Sequence, residues 1–188
     1  QVSLQTASGA LESAYAEWAS DGSDSYNVYY SGAGASDVKV DAPLIRKYGS
    51  KYRVDVVGLK AGSYTLKVAS VKGGKETAST TSKSLTVKAH GRAGFAFSNG
   101  HVPGAYNADG TLKSGAVVLY ISESTKNTVK LDVVTSNKGA VTESVGLQNI
   151  LTSFKKGYDK RPLVIRLLGN VTDPEVTDKG DITIDMGK

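Results

Sequence analysis

The sequence predicts a mainly β protein in two units, a β-sandwich over residues 1–90 and a second, strand-rich unit with one helix over 91–188. Three observations carry this. Short runs of alternating apolar and polar residues, bounded by turn residues, fill the first unit. Glycine is abundant at 21 residues, and Thr, Ser and Val are frequent, which favours strands and turns over long helices. Past residue 90 the period breaks down, and a single amphipathic helix appears between further strands. At 188 residues the chain accommodates one sandwich of roughly 90–100 residues and a companion of similar size.

In residues 12–20, Ala14, Ala16 and Trp18 alternate onto one face and Tyr15 and Glu17 onto the other, a half-buried strand with a core tryptophan. Residues 21–25, DGSDS, form a turn. Tyr26, Val28 and Tyr30 then share one face of a second strand, and SGAGASD over 31–37 reads as a flexible loop. PLIRKYG over 43–49 suggests a helical turn opened by Pro43 and closed by Gly49. KYRVDVVGL (51–59) and YTLKVASV (64–71) are the next strands. Gly73-Gly74 supplies the positive φ angles of a hairpin turn, and SKSLTVKA (82–89) closes the set with Leu85 and Val87 inward.

Residues 90–113 have no period and read as a linker. GAVVLYIS (115–122) and TVKLDVV (128–134) are strands joined by the polar turn ESTKN. Leu147, Ile150, Leu151 and Phe154 follow Val145 at helical spacing, which predicts a helix with Ser144 as N-cap, Lys155 and Lys156 in the last turn and Gly157 as its stop. RPLVIRLLGNVTD (161–173) and DITIDMG (181–187) each read as a short strand ending in turn residues.

Trp18 on an early strand, YNVYY on the next, and Leu59-Lys-Ala-Gly-Ser-Tyr64 opening a later one resemble a fibronectin type III domain. That resemblance implies a tyrosine corner, with the Tyr64 hydroxyl bonded to backbone near Leu59 or Lys60. The order of helix, Arg-Pro, apolar run, Gly-Asn, loop and strand is similar to the start of family 1 polysaccharide lyases, the pectate and pectin lyases, over roughly residues 104–188. This resemblance implies the N-terminal cap helix and first coil of a right-handed parallel β-helix, truncated before further coils. Stacked coils need about three for stability, so with one coil Leu163, Ile165, Leu167, Ile182 and Ile184 lack a covering layer, and either the chain is a fragment or something else covers that face. In that family calcium and an arginine base cleave polygalacturonate by β-elimination. Those residues lie on later coils, and no position here matches them, so the resemblance assigns no catalytic or metal-binding residue to this chain. Ca2+ is expected only of a complete lyase.

Composition narrows the chemistry further. Cysteine is absent, which removes disulfides, thiolate nucleophiles and Cys-ligated metals, and only His90 and His101 remain as imidazoles. No apolar run approaches the ~20 residues that span a bilayer, and no basic-then-apolar leader opens the chain, as expected of a mature secreted chain. The net charge of +5 is unevenly spread. Residues 1–38 hold five acids and no Lys or Arg, whereas 39–90 hold eleven Lys/Arg against three acids. Sugars stack on aromatic faces, and uronates pair with cations. The candidate substrate-binding residues are therefore Arg46, Lys47, Lys51, Arg53, Lys72 and Lys75, interleaved with Tyr48 and Tyr52. The implied partner is an acidic plant polysaccharide, pectin or polygalacturonate, beside the remainder of a lyase domain; a spacer module without glycan affinity is the alternative. No nucleic-acid motif accompanies the basic stretch, so neither a nucleic acid nor a membrane is an expected partner. Asp21-Gly-Ser-Asp24 lacks the alternating acids of a calcium loop and reads as a turn. Gly32-Ala-Gly34 lacks the third glycine of a dinucleotide fingerprint. Arg161 and Arg166 read as surface salt-bridge residues.

Overall fold

The computed structural model describes residues 1–100, 102 and 104–172. It divides into two compact units, Gln1–Gly91 and Arg92–Lys188. The expected strand at 181–187 and His101 lie outside the described residues.

The first unit holds nine strands: β1 (Leu4–Ala10), β2 (Ser13–Ala19), β3 (Ser25–Gly32), β4 (Ala35–Lys39), β5 (Ile45–Tyr48), β6 (Lys51–Val57), β7 (Gly62–Lys72), β8 (Lys75–Thr81) and β9 (Leu85–Val87). One sheet has the order β1-β2-β6-β5; the other runs β4-β3-β7-β8, with β9 also pairing β7. Every pairing is antiparallel. The predicted alternation sets the layer between the sheets: Ala14, Ala16 and Trp18 of β2 are buried, as are Tyr26 and Val28 of β3 and Leu66 and Val68 of β7. Trp18 meets Tyr26 of the opposite sheet edge-on at 5.4 Å, and Tyr52 lies parallel to the indole at 6.0 Å. Burying each of these large side chains contributes on the order of 2 kcal/mol, so this aromatic trio anchors the sandwich-like core.

Several connections differ from expectation. Residues 31–37 do not form an open loop. β3 continues to Gly32, β4 begins at Ala35, and Ala33 (φ 48°) with Gly34 (φ 86°) makes a two-residue hairpin turn. Gly32 is required there, because a Cβ at this position would collide with the Ser63 carbonyl. Pro43 does open a tight 3-10 turn, Ala42–Leu44, but the chain then becomes strand β5 instead of continuing to Gly49 as a helix. β1 and β8, for which the sequence predicts no strand, are edge strands with little alternation to betray them.

β8 and β9 run along one edge of β7, linked by Ser82. Its Oγ accepts from Leu66 N at 3.0 Å, and its N–H donates to Leu66 O at 2.8 Å. The chain then crosses to the other sheet, where Lys88 N donates to Ala10 O and Glu12 N to Lys88 O. Gly9 lies against the Thr86 carbonyl at this crossing, where any Cβ would overlap it.

In the second unit β10 (Val117–Ile121) pairs in parallel with β13 (Leu163–Leu167), and β11 (Lys130–Val134) pairs antiparallel with β12 (Val141–Val145). Parallel strands need a crossover, and the β11–β12 hairpin with helix α1 (Leu147–Lys155) supplies it. Leu147 and Ile150 of α1 pack with Leu119 and Ile121, and Leu151 and Phe154 extend the same face. The helix starts later than expected. Ser144 and Val145 belong to β12, and Gly146 at φ 83° turns the strand into the helix, so Ser144 is not the N-cap. Its hydroxyl instead meets that of Ser153 at 2.7 Å. The stop is as expected: Gly157 takes φ 77° and donates to Phe154 O at 2.9 Å. Of the two alternatives for the apolar face of β13, cover by another element holds for Leu163 and Ile165, which pack against the α1 cluster, whereas Leu167 is 64% exposed.

Candidate functional site

On the outer face of the four-stranded sheet the register places Glu17, Arg53 and Arg46 in one row across β2, β6 and β5, with Tyr15 and Asp55 in the next row. Arg46 is only 5% exposed. Its Nη2 meets Asp55 Oδ2 at 2.6 Å, its Nε donates to the Tyr48 hydroxyl at 2.8 Å, and its Nη1 donates to Leu44 O at 3.3 Å. Arg53 donates to both oxygens of Asp55, at 2.9 and 3.0 Å, and to Glu17 Oε1 at 2.7 Å, while its guanidinium lies 4.0 Å above the Tyr15 ring. Burial opposes ionisation of Asp55, but the bonds from Arg53 and Arg46 outweigh it and hold its pKa below the usual carboxylate range. The Arg53 pKa is raised, chiefly by Asp55, with burial opposing.

This network corrects the expectation for two residues. Arg46 and Arg53 are consumed in holding the sheet together, and neither offers an open fork to a carboxylate ligand. The residue that sequence reasoning missed is Asp55, their shared partner. Its signal was present in Arg53-Val-Asp55, since residues two apart on a strand share a face, but the contribution of Arg46 depends on cross-strand register.

Lys47, Lys51, Lys72 and Lys75 remain exposed. The structure gathers the turns that bear them at one end of the sandwich. Ser20 N donates to Ser50 O at 2.8 Å, which ties the β2–β3 loop to the β5–β6 turn beside Lys51. Asp24 N donates to Val71 O at 2.9 Å, and Asp24 Oδ2 accepts from Gly73 N at 2.8 Å, tying the same loop to the β7–β8 hairpin. Gly73 and Gly74 take the positive φ angles expected of that turn and hold Lys72 opposite Lys75. Lys47 lies 5.7 Å from the centre of the Tyr52 ring. Tyr52 itself stacks on Trp18 and belongs partly to the core, whereas Tyr48 is 40% exposed beside its cross-strand neighbour Lys51.

The loop between these lysines uses its acids internally. Asp21 accepts from Ser23 N at 3.2 Å, from the Tyr26 hydroxyl at 2.8 Å and from Ser70 Oγ at 2.7 Å. Its pKa falls well below the usual range, led by the Ser23 bond, with Ser70 and Tyr26 adding to it against burial. Asp21 and Asp24 are thus turn-forming groups, and no cluster of three His, Cys, Asp or Glu able to hold a metal occurs among the described residues. No described helix is long and apolar enough to cross a membrane. In the second unit Arg161 pairs with Asp159 at 2.7 Å, as expected of a salt-bridge residue.

No family model matches the chain, and no curated protein matches it. Among solved structures it is similar to a chimeric titin Z1Z2 carrying a decorin peptide, at 20% identity over 48% of this chain and 97% of that one, with a TM-score of 0.28. It is also similar to a family 64 laminaripentaose-producing β-1,3-glucanase from Paenibacillus barengoltzii, at 8% identity over 77% of this chain and 34% of that one, with a TM-score of 0.30. Overlaps this loose carry no functional argument.

Proposed function

We propose that the chain is the N-terminal region of a secreted pectate lyase-like protein, and that its sandwich is an accessory module that holds acidic plant polysaccharide, pectin or polygalacturonate. The carrying observation is that Lys51, Lys72 and Lys75 sit on turns brought to one end of the sandwich by backbone bonds, with Lys47 one strand away. Exposed ammonium groups on short turns suit a polymer that carries one carboxylate per sugar, because each contact is a point charge without a demanding geometry. Tyr48 adds an exposed ring beside Lys51.

A fibronectin type III-like identity for the sandwich is supported by the Tyr64 hydroxyl, which donates to Lys60 O at 2.8 Å, the expected corner bond. A β-helix start for the second unit is supported by the parallel β10–β13 pair and by the helix packed on it. The described residues do not offer the acidic cluster that calcium requires. In the resemblance, the calcium carboxylates and the arginine base belong to later coils, so the proposal for this chain is binding and not cleavage.

Affinity electrophoresis tests the binding reading. Retention is expected to be strongest in unesterified polygalacturonate and to weaken with methyl esterification. It should also fade with salt, because the screening length falls to about 3 Å at 1 M. Lys47→Ala with Lys51→Ala should reduce retention without changing the melting temperature. Equal retention by heparin of similar charge density reduces the surface to a general charge effect, and no retention near 0.1 M salt makes the module a spacer.

A further inference from the structure

The second unit has an open groove of about 420 Å³ between the segment that follows α1 and the residues flanking β10 and β11. Ser114, Val134, Tyr158, Asp159, Lys160 and Arg161 are among the residues that line it. Three features distinguish it from an ordinary surface crease. Tyr158 is 40% exposed, an aromatic ring left open on a concave surface. Asp159 is a carboxylate with its side chain only 1% exposed, and it accepts from Val134 N at 3.1 Å and from Arg161 N at 3.1 Å. That fixed carboxylate grips the Arg161 side chain through Nε at 3.0 Å and Nη2 at 2.7 Å, while Nη2 also donates to Asp132 O.

The guanidinium is thereby held on one side, and its Nη1 enters none of these bonds although the side chain is 40% exposed. Lys160 is exposed beside it. An immobilised donor loses little freedom on binding, so each bond it makes to a ligand is worth more than one from a mobile side chain. The groove thus combines an open ring, a fixed guanidinium edge and an ammonium, with its one lining acid spent on Arg161 and the exposed Asp132 acting on the same guanidinium. A ring-shaped ligand that carries one carboxylate matches this combination.

We infer that this groove is a uronate subsite, in which Tyr158 stacks on one sugar ring while Lys160 Nζ and Arg161 Nη1 hold its carboxylate. Asp159 is a positioning residue that aims Arg161. The inference rests on the acidic-polysaccharide reading above and extends it to a second, separate surface.

Titration of the full chain with trigalacturonate, followed by NMR, tests it. The Tyr158 ring signals should shift with trigalacturonate and not with neutral galactotriose. Tyr158→Ala and Lys160→Ala, neither of which removes a bond that holds the fold, should each weaken binding at this site about tenfold. Shifts confined to Lys51, Lys72 and Lys75 would overturn the subsite and leave the sandwich reading standing. Shifts at Tyr158 without any at those lysines would do the reverse, and a chain with no shifts would lose both. Equal response to the neutral sugar, or affinity unchanged in both variants, would also overturn the subsite. Should Tyr158→Ala fail to fold, Lys160→Ala and the ring shifts of the unaltered chain decide.

Discussion

Asp55 and Asp159 meet the same demand in the two units: each is a shielded carboxylate made tolerable by arginine. Removing one partner of such a pair strands the other charge, so Asp55→Ala should cost on the order of 3–5 kcal/mol in chemical denaturation of the sandwich. A loss below about 1 kcal/mol, the worth of an exposed ion pair, would show that Arg46 finds solvent. Tyr64→Phe leaves Lys60 O without its donor and should cost about 1 kcal/mol. Tyr29→Phe loses only a hydroxyl bond to the exposed Glu76, 2.6 Å away, and should cost much less. Equal melting temperatures for the two variants would remove the corner role of Tyr64. That role was legible because LKAGSY sets its hydroxyl four residues from its acceptor. The fate of Arg46 and Arg53 was not, since a list of cations says nothing of which carboxylate lies across the strand.

Elements were legible where one face is buried and illegible where neither is. β2, β3, β6 and β7 show the alternation that a half-buried strand imposes, and all four appear where it places them. Edge strand β8 is polar on both faces, and β1 is built largely of small residues, so neither leaves a clear period to find. The turn at Ala33-Gly34 escaped because alanine at positive φ is a strained choice that tight pairing of β3 with β4 enforces. The start of α1 slipped because Gly146 makes a strand-to-helix joint without a polar cap. Gly9 marks where the end of β9 approaches β1. Gly9→Ala should cost about 1–3 kcal/mol, because its methyl overlaps the Thr86 backbone, which cannot rotate away as a side chain would. An unchanged melting temperature would mean that this crossing yields freely. At the entry to β13, Arg161 holds the Asp159 pKa down to about 2 against the opposing effect of burial. The folded chain binds that proton more weakly than the unfolded one, so its contribution is complete above about pH 4 and is lost as pH falls toward 2. Near-ultraviolet tyrosine signals should follow this loss, and Asp159→Asn should abolish that part of the pH dependence.

For the whole molecule the charge pattern has a structural outcome that composition alone conceals. The cations in 39–90 include two arginines that bind the sheet, Arg46 and Arg53, four exposed lysines gathered at its end, Lys47, Lys51, Lys72 and Lys75, and others placed elsewhere, such as Lys67, which pairs with Asp37. Every strand pairing, ring contact and ion pair described for the sandwich closes within residues 1–91. A chain ended after Gly91 should therefore unfold in one cooperative transition, read by Trp18, the only tryptophan. The same piece divides the two binding surfaces. If the lysine end is the main site, residues 1–91 should keep the salt dependence of polygalacturonate retention shown by the full chain, since that slope counts the cations engaged. If the Tyr158 groove contributes, the shortened chain should be retained less at every salt concentration, and Tyr158→Ala in the full chain should reproduce the difference. A shortened chain that folds but shows no retention would move all binding to the second unit and leave the sandwich a spacer.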